Sequence, residues 1–174
     1  MCIRDRLKPV SENLLDELDE NHLKGSLFNK IKLHRDQSGI PDIDSSNLCI
    51  IGISETRNSY FESDIQDLNI LRKELYKLKE GKWKISISDL GDLPNGNTVD
   101  DTYHALYDIC KELHSKKITL VIIGGSNDII YPVFKSLYEH RCRWYPIFVK
   151  SFNLLESSSI ILFMYVLPEI ISES

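Results

Sequence analysis

Ile118-Thr119-Leu120-Val121-Ile122-Ile123-Gly124-Gly125 is the most apolar β-branched run of the chain, and its glycine pair stops it just before a helical pattern near Asp128 or Tyr131. A short, continuous apolar run of this kind predicts a strand buried on both faces. Working upstream, Leu48-Cys49-Ile50-Ile51-Gly52-Ile53 repeats the pattern and predicts a second core strand. Between the two, Ile65, Leu68, Leu71, Leu75 and Leu78 recur at helical spacing, with Arg72, Lys73, Glu74 and Lys77 assigned to the opposite, solvent face. Trp83 to Leu90 alternates with period two, which predicts a less buried strand nearer an edge. Gly91-Asp92-Leu93-Pro94-Asn95-Gly96-Asn97 reads as a loop, after which Thr98 caps a helix with Asp100 and Asp101 in its first turn. Tyr103, Leu106, Cys110 and Leu113 form one stripe of that helix. Strands alternating with helices predict an α/β fold with a mostly parallel sheet.

Further upstream, Ser11 followed by Leu14, Leu15 and Leu18 predicts a peripheral amphipathic helix, and Gly25 to Ser46 reads as an irregular connector. The chain has 174 residues, 42% hydrophobic and 27% charged, with 8 Gly and 6 Pro, a composition of one globular domain rather than of a disordered or collagenous chain. A net charge of -5 and the lack of a Lys/Arg cluster argue against a nucleic-acid partner. Cys2, Cys49, Cys110 and Cys142 form no C-x-x-C pair, so neither a zinc site nor a disulfide framework is expected and a reducing cytoplasm fits best. The longest apolar stretch, Ile160 to Leu167, is too short for the ~20 residues of a membrane span.

Charge and glycine are unevenly placed. No Asp follows Asp128 and no Gly follows Gly125, so composition changes character near His140. Met1-Cys2-Ile3-Arg4-Asp5-Arg6 resembles translated sequencing-adapter sequence. The expected organisation is therefore a non-native leader over 1–6, an α/β unit over 7–140, and a divergent tail over 141–174 that a frameshift would explain.

In open parallel sheets, ligands sit beyond the carboxyl ends of the strands, which directs attention to Gly124-Gly125-Ser126-Asn127-Asp128. Paired glycines either let the backbone approach a ligand or make a tight turn, with Ser126 or Asp128 capping the next helix. G-x-G-x-x-G and Gly-Lys-Ser/Thr are both absent, so neither a dinucleotide fingerprint nor a P-loop is present. Anion binding at the helix N-terminus after Gly125 leaves a nucleotide-binding doubly wound domain as a further reading. The loop Ser54-Glu55-Thr56-Arg57-Asn58-Ser59-Tyr60 leaves another central strand, and Glu55 and Arg57 are placed either to contact a charged substrate or to face solvent. His22, His34, His104, His114 and His140 have no ligand-type spacing and read as solvated or packing residues. Tyr103 and Tyr107 read as core or boundary aromatics.

Taken together and in order, Ser88-Asp89-Leu90-Gly91-Asp92-Leu93, Asn97-Thr98-Val99-Asp100-Asp101-Thr102-Tyr103 and Leu120-Val121-Ile122-Ile123-Gly124-Gly125 resemble the arginase, agmatinase and formimidoylglutamase family. The likeness is greatest to its divergent bacterial formimidoylglutamase-like branch, with counterparts also in Leu7 to Glu20, Leu48 to Ile53 and Leu71 to Tyr76. It covers about residues 7 to 140, the N-terminal half of such an enzyme. The resemblance implies a three-layer α/β/α sandwich, here incomplete, and a Mn²⁺-dependent hydrolase acting on a small guanidino or formimino substrate, with a homo-oligomer possible. Two Mn²⁺ ions would supply a hydroxide at neutral pH. It also implies that Asn127 stands in the slot of a histidine ligand, that Asp128 is a nearby carboxylate, and that Glu55 and Arg57 border the substrate cleft. The later Asp-x-His-x-Asp and Asp-x-Asp ligand clusters of the family cannot occur, since no Asp follows Asp128. The chain alone is accordingly expected to be inactive, or to be a non-catalytic α/β protein that keeps the scaffold for binding or assembly.

Overall fold

The computed structural model describes residues 3–20, 24–58, 68–139, 145–152 and 159–166. Its centre is the predicted pair of core strands, β2 (Leu48–Ile53) and β4 (Thr119–Gly124), paired in parallel from Leu48↔Thr119 to Ile53↔Gly124. On the other side of β2 lies β3 (Ile87–Leu93), also parallel, and beyond it the two-residue β1 (Lys32–Leu33). These four strands are all parallel. An antiparallel hairpin, β5 (Tyr145–Phe152) and β6 (Ser159–Val166), completes the order β1-β3-β2-β4-β6-β5, with β6 against β4. The fold is α/β, as the alternating pattern predicts.

Alternate residues of the two core strands fall into two separate buried clusters, which is why both strands are apolar almost throughout, Thr119 being the polar exception. Cys49, Ile51 and Ile53 of β2 and Leu120 and Ile122 of β4 pack with α3 (Val99–Ser115) and α4 (Ile130–Glu139), through Leu106, Ile109, Leu113, Val133 and Leu137. The intervening Ile50, Val121 and Ile123 pack instead with α1 (Glu12–Glu20) and α2 (Leu68–Lys77), through Leu14, Leu15, Leu18, Leu68 and Tyr76. Among the described residues, no helix is long and apolar enough to cross a membrane.

α3 begins where the sequence places it. The Thr98 hydroxyl accepts from the Asp101 N–H at 3.1 Å, and the Asp101 carboxylate accepts from the Thr98 N–H at 2.8 Å. This reciprocal capping box satisfies two of the donors that a helix start leaves open.

Three expectations need correction. Gly25 to Ser46 is not merely a connector, since it holds a 3₁₀ turn at Leu27–Asn29 and the edge strand β1. Two residues are too few to show a period of two. The strand expected at Trp83 to Leu90 instead runs from Ile87 through Leu93, and Trp83 is 51% exposed. Gly91 permits this extension: the register passes from Ile50↔Asp89 to Gly52↔Asp92, a bulge of one residue at Leu90-Gly91, and Gly91 adopts φ +87°. Across the bulge, Lys8 and Asp92 exchange backbone hydrogen bonds of 2.8 and 2.9 Å, tying the N-terminal segment to β3.

The third correction concerns α2. Its buried line is Leu68, Arg72 and Tyr76, whereas Leu71 and Leu75 are half-buried and Leu78 is exposed. Arg72, assigned to solvent by periodicity, is 0% exposed. Its guanidinium meets Asp89 through Nε at 2.9 Å and Nη2 at 3.2 Å, Asp92 through Nη1 at 2.6 Å, and the Gly91 carbonyl at 3.0 Å. The Asp89 carboxylate also accepts from the Tyr76 hydroxyl at 2.7 Å and the Gly91 N–H at 2.9 Å. Burial, with Asp89 beside it, pushes the Tyr76 hydroxyl far above its ordinary range. Gly52 leaves room for this cluster, since a Cβ there would stand 2.1 Å from Asp92 Oδ1 and 2.9 Å from Arg72 Nη2.

Candidate functional site at the strand ends

Three loops leave the carboxyl ends of adjacent parallel strands. They are 54–58 after β2, 94–98 after β3 and 125–129 after β4, and side-chain chemistry draws them together. Glu55 is the hub. Its side chain is 0% exposed, and its carboxylate accepts from Arg57 Nε at 2.9 Å, Arg57 Nη2 at 2.5 Å, the Arg57 N–H at 3.1 Å and the Thr102 hydroxyl at 2.9 Å. A buried carboxylate with four donors is a satisfied charge.

Arg57 extends the set toward the β3 loop. Its Nη1 donates to the Asn97 carbonyl at 3.0 Å and its Nη2 to the Gly96 carbonyl at 3.1 Å, while the Gly96 N–H donates to Thr102 Oγ1 at 2.9 Å. The Arg57 side chain remains 39% exposed, a cation held at the rim. On the other side, the Glu55 carbonyl accepts from the Ser126 N–H at 2.9 Å and from the Ser126 hydroxyl at 3.2 Å. That contact anchors the glycine turn, in which Gly124 and Gly125 have φ +82° and +80°. These are conformations that residues with a Cβ rarely adopt. A Cβ on Gly125 would also stand 2.6 Å from Ile129 Cδ1.

Beyond the turn, Asn127 is exposed and Asp128 half-buried in the 3₁₀ turn Asn127–Ile129 that precedes α4. Neither Ser126 nor Asp128 serves as the expected side-chain cap. Ser126 holds the capping position without a capping bond, and its hydroxyl instead serves Glu55 and Asp128. The Asp128 carboxylate accepts from Ser126 and from the Tyr103 hydroxyl, which takes a further hydrogen bond from Asn58 Nδ2 at 3.2 Å. Burial, with Asp128 as acceptor, pushes the Tyr103 hydroxyl up to about 12. Tyr103 is thus a boundary residue with a definite polar role, which its place in an apolar stripe conceals.

The described residues of this turn offer a metal one exposed amide, Asn127, and one carboxylate already in two hydrogen bonds, Asp128. That donor set does not fit a two-Mn²⁺ centre, and among the described residues no group of three or more His, Cys, Asp or Glu gathers to hold a metal. His34 and His114 are buried, with Nδ1 2.9 Å from the Leu90 carbonyl and 3.1 Å from Ser136 Oγ respectively, and His104 is exposed. His22 and His140 lie outside the described residues. Cys49 and Cys110 are buried free thiols, and burial pushes the Cys49 thiol up to about 12.

The Glu55 clamp carries a pH signature. The Arg57 guanidinium hydrogen-bonded to it holds the Glu55 carboxyl below its ordinary range, against the opposing effect of burial, with the Arg57 N–H and Thr102 hydroxyl adding to the lowering. A carboxylate lowered in the folded state contributes stability above its unfolded pKa and loses it as pH falls through the folded value. Urea midpoints should therefore fall between about pH 5 and pH 3 more steeply for the native chain than for Glu55→Gln. Equal slopes would mean that the clamp does not form in solution.

Comparison of the chain with protein-family models and with curated proteins finds no match to either.

Proposed function

We propose that the chain is the N-terminal part of an amidinohydrolase resembling the arginase family, contributing one flank of a substrate site while the hydrolytic metal ligands belong to a later segment. The observation that carries this reading is the strand-end convergence, with the doubly positive-φ turn at Gly124-Gly125 on the β4 end beside the Glu55–Arg57 loop. The motif order from Ser88 to Gly125 supports it from the sequence side. In this reading residues 7–140 are part of a three-layer α/β/α sandwich. The favoured substrate is a small formimino or guanidino compound with a charged group, met by the exposed edge of Arg57, in a reducing cytoplasm. Mn²⁺ would supply the hydroxide in the complete enzyme, and the isolated chain is inactive.

The test lies downstream. The nucleotide sequence after the His140 codon, read in the other frames, should encode Asp-x-His-x-Asp and Asp-x-Asp. The restored chain should then release urea, formamide or ammonia from a guanidino or formimino substrate in a Mn²⁺-dependent way. Neither motif in any frame, or a restored chain without activity, overturns the proposal. The second reading, a non-catalytic α/β binding or assembly protein, draws on the completeness of the Glu55–Arg57–Thr102 hydrogen bonding. It expects no activity from any restored frame.

A further inference from the structure

We propose that Glu55 is a positioning residue that couples the three strand-end loops into one cooperative unit, so that a change at the α3 end is transmitted to the glycine turn after β4. The inference concerns loop order and stands apart from the amidinohydrolase reading, so each can fail without the other.

Its basis is the two-sided use of one residue. The side chain of Glu55 faces Arg57 and Thr102, and through Arg57 it reaches the Gly96 and Asn97 carbonyls. The backbone carbonyl of the same residue accepts from the Ser126 N–H at 2.9 Å, with the Ser126 hydroxyl, whose proton it shares with Asp128, at 3.2 Å. Fixing the side chain therefore fixes the carbonyl that anchors the next loop. Thr102 is the far end of this path: its hydroxyl donates to Glu55 and accepts from the Gly96 N–H, yet it belongs to α3. Charge reinforces the link. Loss of the Thr102 hydroxyl leaves the buried Glu55 carboxylate one donor short on its α3 side, a cost that favours its movement toward water together with the carbonyl of the same residue.

Coupling of this kind is distinguishable from independent loops that happen to touch. Independent loops open one at a time; coupled loops open together. Hydrogen exchange of the full 174-residue chain, read at single amides, separates the two. Thr102→Val should raise exchange of the Gly96, Arg57 and Ser126 amides together by ~5-fold or more, with Ile51 and Ile122 in the core strands unchanged. Thr102→Ser, which keeps the hydroxyl, should restore the native rates at all three. Glu55→Ala should extend the same pattern, by ~10-fold or more at Ser126.

The decisive amide is Ser126, which has no hydrogen bond to Thr102. If Thr102→Val accelerates Gly96 alone and leaves Ser126 at its native rate, the loops are independent and the inference is overturned. It is equally overturned if Thr102→Ser fails to rescue Ser126. Should Glu55→Ala unfold the chain, the Thr102 pair alone decides.

Discussion

Replacing Arg72 with methionine should destabilise the chain by about 3–5 kcal/mol, the scale expected when one partner of a buried ion pair is removed and the other is left charged in the interior. Arg72 and Asp89 are both wholly buried, and Asp92 is partly so. The methionine side chain fills much of the volume but supplies none of the four contacts that the guanidinium makes with Asp89, Asp92 and Gly91. Urea unfolding measures the loss directly. Arg72→Lys should fall between, because an ammonium cannot reproduce the two-pronged contact with Asp89. Removing both charges with Arg72→Met and Asp89→Leu should recover part of the loss and no more, since the Tyr76 hydroxyl and Gly91 N–H would then lack their acceptor. A change below about 1 kcal/mol for Arg72→Met would place the pair in the class of solvated surface bridges and refute its burial.

Gly91→Ala should cost about 3 kcal/mol. Left-handed backbone alone disfavours an L-residue by about 1–2 kcal/mol, and Gly91 sits at φ +87°. An added Cβ would also stand 1.9 Å from the Lys8 carbonyl oxygen and 3.0 Å from its carbon, both backbone atoms that cannot rotate aside. Relief requires the N-terminal segment to leave β3, breaking the two Lys8–Asp92 hydrogen bonds. The expected readout is a lowered urea midpoint together with faster exchange at the Lys8 and Asp92 amides. A midpoint lowered with exchange at both amides unchanged would show that strain, and not detachment of the segment, carries the cost. A variant as stable as the native chain would rule out the bulge.

The two sites also show where periodicity stops being informative. Arg72 stands four residues after Leu68 and four before Tyr76, so its position alone was compatible with the buried line. Its charge sent it to the wrong face, because pattern reading treats Arg as solvated unless a buried partner is known. The partner, Asp89, lies in β3, 17 residues away, within a segment whose Gly91 and Asp92 read as loop. The ion pair makes an aspartate tolerable inside a strand, and the bulge turns both carboxylates toward the guanidinium.

The strand-end site was legible in its parts. Ile53 and Gly124 end runs whose β-branched content marks buried strands, so the loops carrying Glu55, Arg57 and the glycine pair were located by the rule that parallel strands open their carboxyl ends to ligands. What those residues do there was not legible. Glu55 read as a residue facing substrate or solvent, yet its carboxylate is enclosed by donors from its own loop and from α3. Asp128 read either as a helix cap or as a carboxylate beside a metal slot, but its partners are Ser126 and the Tyr103 hydroxyl on another helix. No spacing rule connects residues 25 or 47 positions apart.

By itself the sequence determined the α/β class, the two central strands, the capped α3 and the glycine turn, because each depends on hydrophobic alternation, capping chemistry or backbone freedom within a few neighbouring residues. Only the tertiary structure decided the strand order, the edge strand β1, the continuation of β3 through its bulge, the burial of Arg72 and the clamp made by Glu55. Those depend on which distant groups compensate a charge removed from water, and a charge changes from solvated to buried only when the fold delivers its partner.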